Sequence, residues 1–211
     1  MTELDLSGVI LAGGRSQRLG QEKALLRLWG PQGPTLLEAT VARVAAVCAE
    51  VLVVTDTPRS WPLLPARVVF DRYPGAGALG GLYSGLAEAT SPYILAVACD
   101  MPFLSEALLR SMAGRPRDYD VLIPRLHAQD RHRSGSASWV EPLHAIYGRP
   151  CLAPMQEDLD RGERQIIHFF PRVRVRYLEQ DEWMRFDPAG LAFRNINTPQ
   201  DLEEARRILG L

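Results

Sequence analysis

Residues 9–23 read VILAGGRSQRLGQEK, and this stretch sets the interpretation of the whole chain. Its first four residues are apolar and lead into Gly13 and Gly14, a pattern that predicts a buried strand running into a tight loop. Adjacent glycines let a backbone pass close to a ligand and point N–H groups at it. Three cations follow within ten residues of Gly13: Arg15, Arg18 and Lys23. Such a loop suits a ligand with several negative charges, and a nucleoside triphosphate is the first hypothesis.

Composition limits the remaining possibilities. The chain has 211 residues, of which 46% are hydrophobic, enough for one large domain with a sizeable core. The net charge of -1 gives no support for a nucleic-acid or membrane partner, so any anion site must be local. The cysteines are odd in number and far apart, which argues against disulfides and zinc and favours buried thiols in a reducing compartment. Because no apolar run reaches about 18 residues, we expect no membrane span and a cytoplasmic protein.

The first 124 residues alternate predicted strands with predicted helices. Strands are expected at 8–12, 51–55, 67–70, 93–98 and 120–124. Helices are expected after Thr35, from about 82 to 89 and after Ser105. Strand–helix–strand units of this length favour an α/β fold with a mostly parallel, doubly wound sheet. Ligands of such sheets bind at the carboxyl ends of the strands, so the loops at Gly13, Asp71 and Asp100 should converge on one crevice.

The second half has weaker signals. Residues 125–138 are polar and without periodicity, which predicts a mobile surface loop, and Pro142 makes the strand predicted at 139–147 an edge or bulged strand. Further elements are helices at 151–159 and 164–170 and a strand at 173–177. Thr198 and Pro199 begin a last helix, whose apolar face is formed by Leu202, Ala205, Ile208 and Leu209. We see no repeat or linker and expect one domain over residues 1–211.

The glycine loop matches neither of two common phosphate-binding motifs. Lys23 is too far from Gly14 for a Walker loop, and the glycine spacing differs from the dinucleotide fingerprint. Arg18 is a candidate for clamping phosphate oxygens, and Lys23 for supplying a point charge. The alternative is a simple glycine turn with solvated charges.

Two aspartates follow predicted strands. Asp100 ends a wholly apolar strand, where a carboxylate facing phosphates is a natural Mg²⁺ ligand. Its alternative role is an N-cap for the helix after Phe103. Asp71 is a candidate acceptor of hydrogen bonds from a base or sugar, or else a cap of the turn before Pro74.

Other candidates surround this predicted crevice. The loop 71–81 contains four glycines: Gly75, Gly77, Gly80 and Gly81. They would let the backbone approach a flat group such as a purine, or else they are turn residues. Asn195 and Asn197 can reach the ligand from the entry to the last helix, or serve in a turn. The spacing of His127, His132 and His144 fits no zinc pattern.

Taken together, these motifs resemble the molybdenum cofactor guanylyltransferase family. The resemblance rests on residues 11–23, on Asp71 with 77–81, on 98–104 (ACDMPFL), on 142–147 (PLHAIY) and on 195–199 (NINTP), and it covers nearly the whole chain. It implies a Rossmann-like nucleotidyltransferase of the nucleotide-diphospho-sugar transferase type, with residues 1–124 binding GTP and 125–211 binding the acceptor.

The resemblance also implies roles for individual residues. GTP would be held by Leu11, Ala12, Gly13, Gly14 and Lys23, with Asp71, Gly80 and Gly81 near the guanosine. Asp100 would ligate Mg²⁺, and Lys23 and Arg18 would complete the catalytic set by stabilising the leaving pyrophosphate. Asn195 and Asn197 would lie near the metal or the pterin, and Arg164 on the acceptor side.

The implied reaction joins GMP to the phosphate of the molybdopterin cofactor and releases pyrophosphate. Its partners are GTP, the molybdopterin cofactor and, transiently, other molybdenum-cofactor proteins. Alternatives are a relative that uses CTP on molybdopterin or another nucleotide on a sugar phosphate, a non-catalytic nucleotide- or cofactor-binding protein, and an α/β domain whose loops bind nothing. Two adjacent glycines favour GTP, since cytidylyl relatives more often show Leu-Ala-Ala-Gly, and Asp100 favours an enzyme.

Overall fold

The structure is a computed structural model that describes residues 6–13, 22–56, 64–127 and 138–211. Its strands are β1 (Leu6–Leu11), β2 (Glu50–Thr55), β3 (Arg67–Phe70), β4 (Tyr93–Ala98), β5 (Val121–His127), β6 (Ser138–Val140), β7 (His144–Gly148) and β8 (Val175–Leu178). The helices are α1 (Leu36–Ala45), α2 (Ala78–Glu88), α3 (Glu106–Ala113), α4 (Leu152–Asp160), α5 (Gln180–Trp183) and α6 (Pro199–Leu209). Short 3-10 segments lie at Lys23–Leu25, Arg149–Cys151, Ile166–Arg172 and Leu191–Phe193.

The strands form one mixed sheet in the order β3-β2-β1-β4-β7-β5-β6, with β8 paired to β5. The pairs among β1 to β4 are parallel, as is β5 with β8, whereas β7 runs antiparallel to both of its neighbours. Helices α1 and α3 pack on one face and α2 and α4 on the other. The expected α/β fold with a mostly parallel, doubly wound sheet is therefore confirmed.

The edge or bulged strand predicted at 139–147 was wrong. The segment forms two strands, β6 and β7, separated by a turn at residues 141–143. Pro142 lies in that turn, where its missing N–H breaks no ladder. β7 contains no proline, is buried throughout and lies between β4 and β5 in the interior of the sheet.

The surface loop predicted at 125–138 was too long at both ends, because its first and last residues belong to strands. Arg125 to His127 extend β5, and Ser138 opens β6, with Arg125 opposite Val140 and Leu126 opposite Trp139. Leu126 is buried between two less buried neighbours, a strand alternation too short to recognise in the sequence. Residues 128–137, with His132, lie outside the described residues.

Helix α2 starts four residues before its predicted beginning, so Gly80 and Gly81 lie in a helix and not in a loop. Gly77 precedes it with a φ of +69°, a conformation that other residues rarely adopt. A Cβ atom on Gly85 would lie 2.4 Å from Cγ1 of Val9. The glycines therefore let α2 approach the sheet closely. Because glycine usually indicates a loop, the sequence pattern did not predict the first turn of the helix.

The remaining local signals were mostly right. Thr198 caps α6 and Pro199 opens it, but Ile208 is 39% exposed, so its place on the apolar face was wrong. Thr35 and Ser105 cap α1 and α3 as predicted. The three cysteines are buried and unbridged. Within the described ranges, no helix is long and apolar enough to cross a membrane.

Candidate active site

A cavity of about 510 Å³ opens at the carboxyl ends of β1, β2 and β4. We name it the first cavity. The predicted site residues that line it are Leu11, Ala12, Gly13, Lys23, Asp71, Gly81, Asp100 and Asn195. The loops at Gly13, Asp71 and Asp100 thus converge on one crevice, as the strand-end argument predicted.

Lys23 is the centre of a polar network in this cavity. Its Nζ donates to Oδ2 of Asp100 at 2.8 Å and to Oδ1 of Asn197 at 2.7 Å. The backbone N–H of Ile196 donates to the carbonyl of Asp100 at 2.9 Å. The glycine loop, the end of β4 and the entry to α6 are therefore joined, although Lys23 and Asn197 are 174 residues apart.

The turn that carries Asn197 is held by Asp201. Its Oδ2 accepts from the backbone N–H groups of Asn197 and Thr198, each at 2.8 Å. Burial alone would raise the pKa of Asp201, but these hydrogen bonds outweigh it and lower the pKa. Asp201 is thus an ionised anchor for the turn.

Asp100 fits a metal-binding role better than the alternative capping role. The cap of α3 is Ser105, whose Oγ accepts from the N–H of Leu108. Among the described residues, Oδ1 of Asp100 and Oδ1 of Asn195 are buried without a hydrogen-bond partner. Carboxylate and amide oxygens are ligands that Mg²⁺ accepts, and one or two protein oxygens suffice when phosphate and water complete the octahedron.

The charge of the first cavity agrees with this fit. Its described lining carries one ammonium group, that of Lys23, against four carboxylates: Glu22, Asp56, Asp71 and Asp100. A divalent cation is one group that could place positive charge between these carboxylates and a triphosphate. In the part of the chain that the structure describes, no cluster of three or more His, Cys, Asp or Glu side chains could hold a metal alone.

Asp71 both caps a turn and lines the first cavity. Its Oδ1 accepts from the N–H of Tyr73 and from the hydroxyl of Ser84, each at 2.9 Å. Gly80 leaves space for the other oxygen, because a Cβ there would lie 3.1 Å from Asp71 Oδ2 and 2.9 Å from the Tyr73 carbonyl. Gly80 therefore supports Asp71 and does not itself line the cavity.

A second cavity of about 750 Å³ adjoins the first, since Ala78 lines both. Its wall includes the cations Arg125 and Arg164 and the aromatic side chains of Trp139 and Tyr177. The Arg125 guanidinium lies 3.8 Å from the centre of the Tyr177 ring. Aromatic and cationic groups together suit a flat anionic ligand.

Residues 8–177 match the family model of the MobA-like NTP transferase domain. The chain belongs to this family. A relative from Chloroflexus aggregans, named "probable molybdenum cofactor guanylyltransferase", is 41% identical over 97% of this chain and 95% of its own length.

Solved structures of MobA-like and related proteins share the fold. Molybdopterin-guanine dinucleotide biosynthesis protein A from Archaeoglobus fulgidus superposes with a TM-score of 0.78 at 25% identity, over 97% of this chain and 98% of the other. The 2-C-methyl-D-erythritol 4-phosphate cytidylyltransferase of Thermus thermophilus does so with a TM-score of 0.72 at 22% identity, over 97% and 98%. The architecture of this MobA-like domain is thus the nucleotide-diphospho-sugar transferase type.

Other predicted residues of this MobA-like domain do not line the first cavity. Arg164 lines the second cavity and not the first. Asn197 contacts Lys23 without lining the first cavity. Gly14 and Arg18 lie outside the described residues.

Sequence reasoning missed Ser84 and Asp56. Ser84 is fully buried and fixes Asp71, and a hydroxyl on the apolar face of α2 was the available signal. Asp56 lines the first cavity just after β2, where only its position at a strand end could have indicated it.

Proposed function

We propose that this chain transfers GMP from GTP to the phosphate of the molybdopterin cofactor and releases pyrophosphate, giving molybdopterin guanine dinucleotide. The observation that carries the proposal is the Lys23–Asp100–Asn197 network beside two adjoining cavities. The name of the Chloroflexus aggregans relative and the family match support the same reaction. Three buried free cysteines suit a reducing compartment, so we place the reaction in the cytoplasm.

GTP would occupy the first cavity and molybdopterin the second. Ala78 is shared by both walls, so the reacting phosphates would meet near the start of α2. The GTP-binding residues come largely from the first 124 positions and the acceptor-binding residues from the rest. Asn195 crosses this division, because it lines the first cavity from the C-terminal segment.

The reaction needs no protein nucleophile, because the acceptor phosphate is already anionic. The residues act by positioning the two substrates and by neutralising charge. Lys23 and Arg18 would hold the leaving pyrophosphate, since Lys23 donates two hydrogen bonds in the structure and keeps a third N–H for a phosphate oxygen. Asp100 and Asn195 would then hold Mg²⁺ through their buried Oδ1 atoms. When bound, Mg²⁺ would supply positive charge to the α-phosphate and the acceptor.

Replacement of Asp100 by alanine tests the proposal. We expect Asp100→Ala to lower turnover by about 10²-fold or more, because the carboxylate holds the charge-neutralising group. The measurement is pyrophosphate release from GTP with purified molybdopterin, beside a melting curve. Asp118→Ala removes an aspartate that is 67% exposed and serves as the matched control. Near-normal turnover of a well-folded Asp100→Ala protein would refute the assignment.

Thermal shifts with GTP, CTP, ATP and UTP test the nucleotide. A ligand that binds only the folded state raises the melting temperature. We expect the largest rise with GTP and Mg²⁺. A stabilising GTP that yields no pyrophosphate with molybdopterin would indicate a binding protein and not a transferase.

A further inference from the structure

A line of polar side chains joins the end of α4 to the wall of the second cavity. The side chain of Asp158 is fully buried, and its Oδ2 lies 3.0 Å from Nδ1 of His168 and 2.5 Å from Nη2 of Arg172. Because an ionised carboxylate only accepts, Nδ1 of His168 carries the hydrogen. The other ring nitrogen, Nε2, lies 4.0 Å from Oε2 of Glu163. His168 therefore stands between a buried and a partly exposed carboxylate.

Glu163, whose carboxylate lies beside the His168 ring without a hydrogen bond to it, holds the backbone of the cavity wall. Its Oε1 accepts from the N–H of Arg164 at 2.7 Å and from that of Gln165 at 2.9 Å. Arg164 and Gln165 both line the second cavity. The line Asp158–His168–Glu163 thus ends on the peptide groups that present these two side chains.

Stability alone explains this network poorly. Burying a carboxylate is costly, and Asp158 Oδ1 has no hydrogen-bond partner among the described residues. Burial raises the pKa of Asp158, but the hydrogen bonds from His168 and Arg172 outweigh it and lower the pKa. His168 is 53% exposed, and pairs with exposed groups add little to the free energy of folding. A network that stabilises little while fixing a loop has the features of a positioning device.

We propose that His168 is a positioning residue for the acceptor substrate. Anchored to Asp158 through Nδ1, its ring lies beside the Glu163 carboxylate and keeps that carboxylate against the N–H groups of Arg164 and Gln165, so that Arg164 faces the second cavity. The inference rests on the proposed function in one respect, namely that the second cavity binds the molybdopterin phosphate. Its structural part, the fixing of residues 163–165, is independent of that function.

The kinetic test uses the full chain with His168→Ala. We expect the KM for molybdopterin to rise about 10-fold, because Arg164 is no longer held in place. The KM for GTP and kcat should stay within about twofold of the wild type. His168→Asn keeps a donor near the position of Nδ1 and should restore part of the lost affinity for molybdopterin. Equal rises in both KM values, or no rise, would overturn the proposal.

A matched control separates positioning from stability. Asp120 is also a buried carboxylate joined to an arginine, since its oxygens accept from Nε and Nη2 of Arg174 at 3.1 and 2.8 Å. It precedes β5, and neither residue lines the two cavities. Asp120→Asn should lower the melting temperature without changing the KM for either substrate.

Hydrogen exchange tests the structural part without any turnover. Glu163 accepts from the amides of Arg164 and Gln165, so these amides should exchange faster in His168→Ala than in the wild type. Unchanged exchange would overturn the inference whatever the chain catalyses. Faster exchange in a chain that makes no pyrophosphate would retain the loop-fixing role of His168 and refute the proposed function alone.

Discussion

Gly13 has room for a side chain among the described residues. A Cβ atom there would come no closer than 3.7 Å to Asp56, an ordinary contact, and its φ is not among the positive values of the described glycines. Within the described residues, neither packing nor backbone geometry therefore requires glycine at this position. The space in front of Gly13 belongs to the first cavity, so its absence of a side chain suits a ligand.

Gly13→Ala should discriminate between a purine and a pyrimidine nucleotide. We expect the variant to fold normally but to bind GTP about 10-fold more weakly, because a methyl group enters space that the larger base needs. Binding of CTP should change less. Titration calorimetry with both nucleotides measures the difference. An equal loss for GTP and CTP would show that Gly13 does not select the base.

His144 makes the stability of the fold depend on pH. Burial lowers its pKa from 6.5 to about 4. The unfolded chain therefore takes up a proton near pH 6.5, whereas the folded chain does so only near pH 4. The stabilisation is complete above pH 6.5 and is lost as the pH falls toward 4, by about 3 kcal/mol at most.

His144→Leu should flatten this dependence. Urea unfolding at several pH values between 4 and 6.5 gives the slope of the unfolding free energy, which we expect to be smaller in the variant. The pKa of Glu50 in the folded chain is lowered to about 2 by hydrogen bonds from Thr90, Arg67 and Ser7 that outweigh its burial, so Glu50 adds the same slope below its unfolded pKa of 4.5 in both proteins. Identical slopes would show that His144 is not the group that titrates.

Capping boxes with threonine at the N-cap begin helices α1 and α6, and of these two only α6 begins beside the site. In α1, Thr35 and Glu38 cap each other, and in α6, Thr198 and Asp201 do so. Asp201 also accepts from the N–H of Asn197, whose side chain contacts Lys23. The capping box of α1 holds only the start of its own helix, whereas that of α6 also holds the turn that carries Asn197.

Asp201→Ala and Glu38→Ala should therefore differ in activity but not in stability. Each removes one capping acceptor, and we expect a loss of about 1 kcal/mol in the free energy of unfolding for both. Only Asp201→Ala should lower kcat/KM for GTP, by about 10-fold, because Asn197 loses its anchor. Denaturant unfolding and steady-state kinetics of the pair provide the measurement. Equal activities would show that the turn does not position Lys23.

Strands and helices that are marked by local sequence patterns were predicted correctly. The apolar runs of β1 and β4 and the caps Thr35, Ser105 and Thr198 are readable because burial and capping act within a few residues. The start of α2 and the division of β6 from β7 were not predictable in this way. Gly85 of α2 allows close packing against Val9. Pro142 breaks no strand pairing because it lies in the turn between β6 and β7.

The positions of site residues at strand ends were predictable from the sequence, but the contacts between their side chains were not. Because parallel strands end at the same edge of a sheet, the sequence predicted that Gly13, Asp71 and Asp100 lie in one crevice. The direct contact of Lys23 with Asp100 and Asn197 depends on how α6 packs against Leu26, Leu28 and Leu36, and local sequence patterns do not indicate this packing. The support of Asp71 by Ser84 is a similar tertiary contact.

The order of strands makes the two halves of the chain interdependent. β7, from the second half, pairs along Tyr93 to Val97 of β4, from the first half, and also pairs with β5. β8, near the C-terminal end, completes the pairing of β5. Without residues 125–211, β4 would present an open edge and its buried side chains would face water. Residues 1–124 and 125–211 therefore contribute strands to one sheet.

A chain ending at residue 124 should therefore not fold, and the full chain should unfold in a single transition. The truncated chain would lose both β7 and the packing of Phe169 and Met155 in the cluster beneath α2. Circular dichroism of the fragment should show no cooperative melting, whereas the full chain should give coincident transitions by fluorescence and circular dichroism. A fragment that melts cooperatively and binds GTP would contradict this, because it would show that the first four strands hold the nucleotide site without the strand that separates β4 from β5.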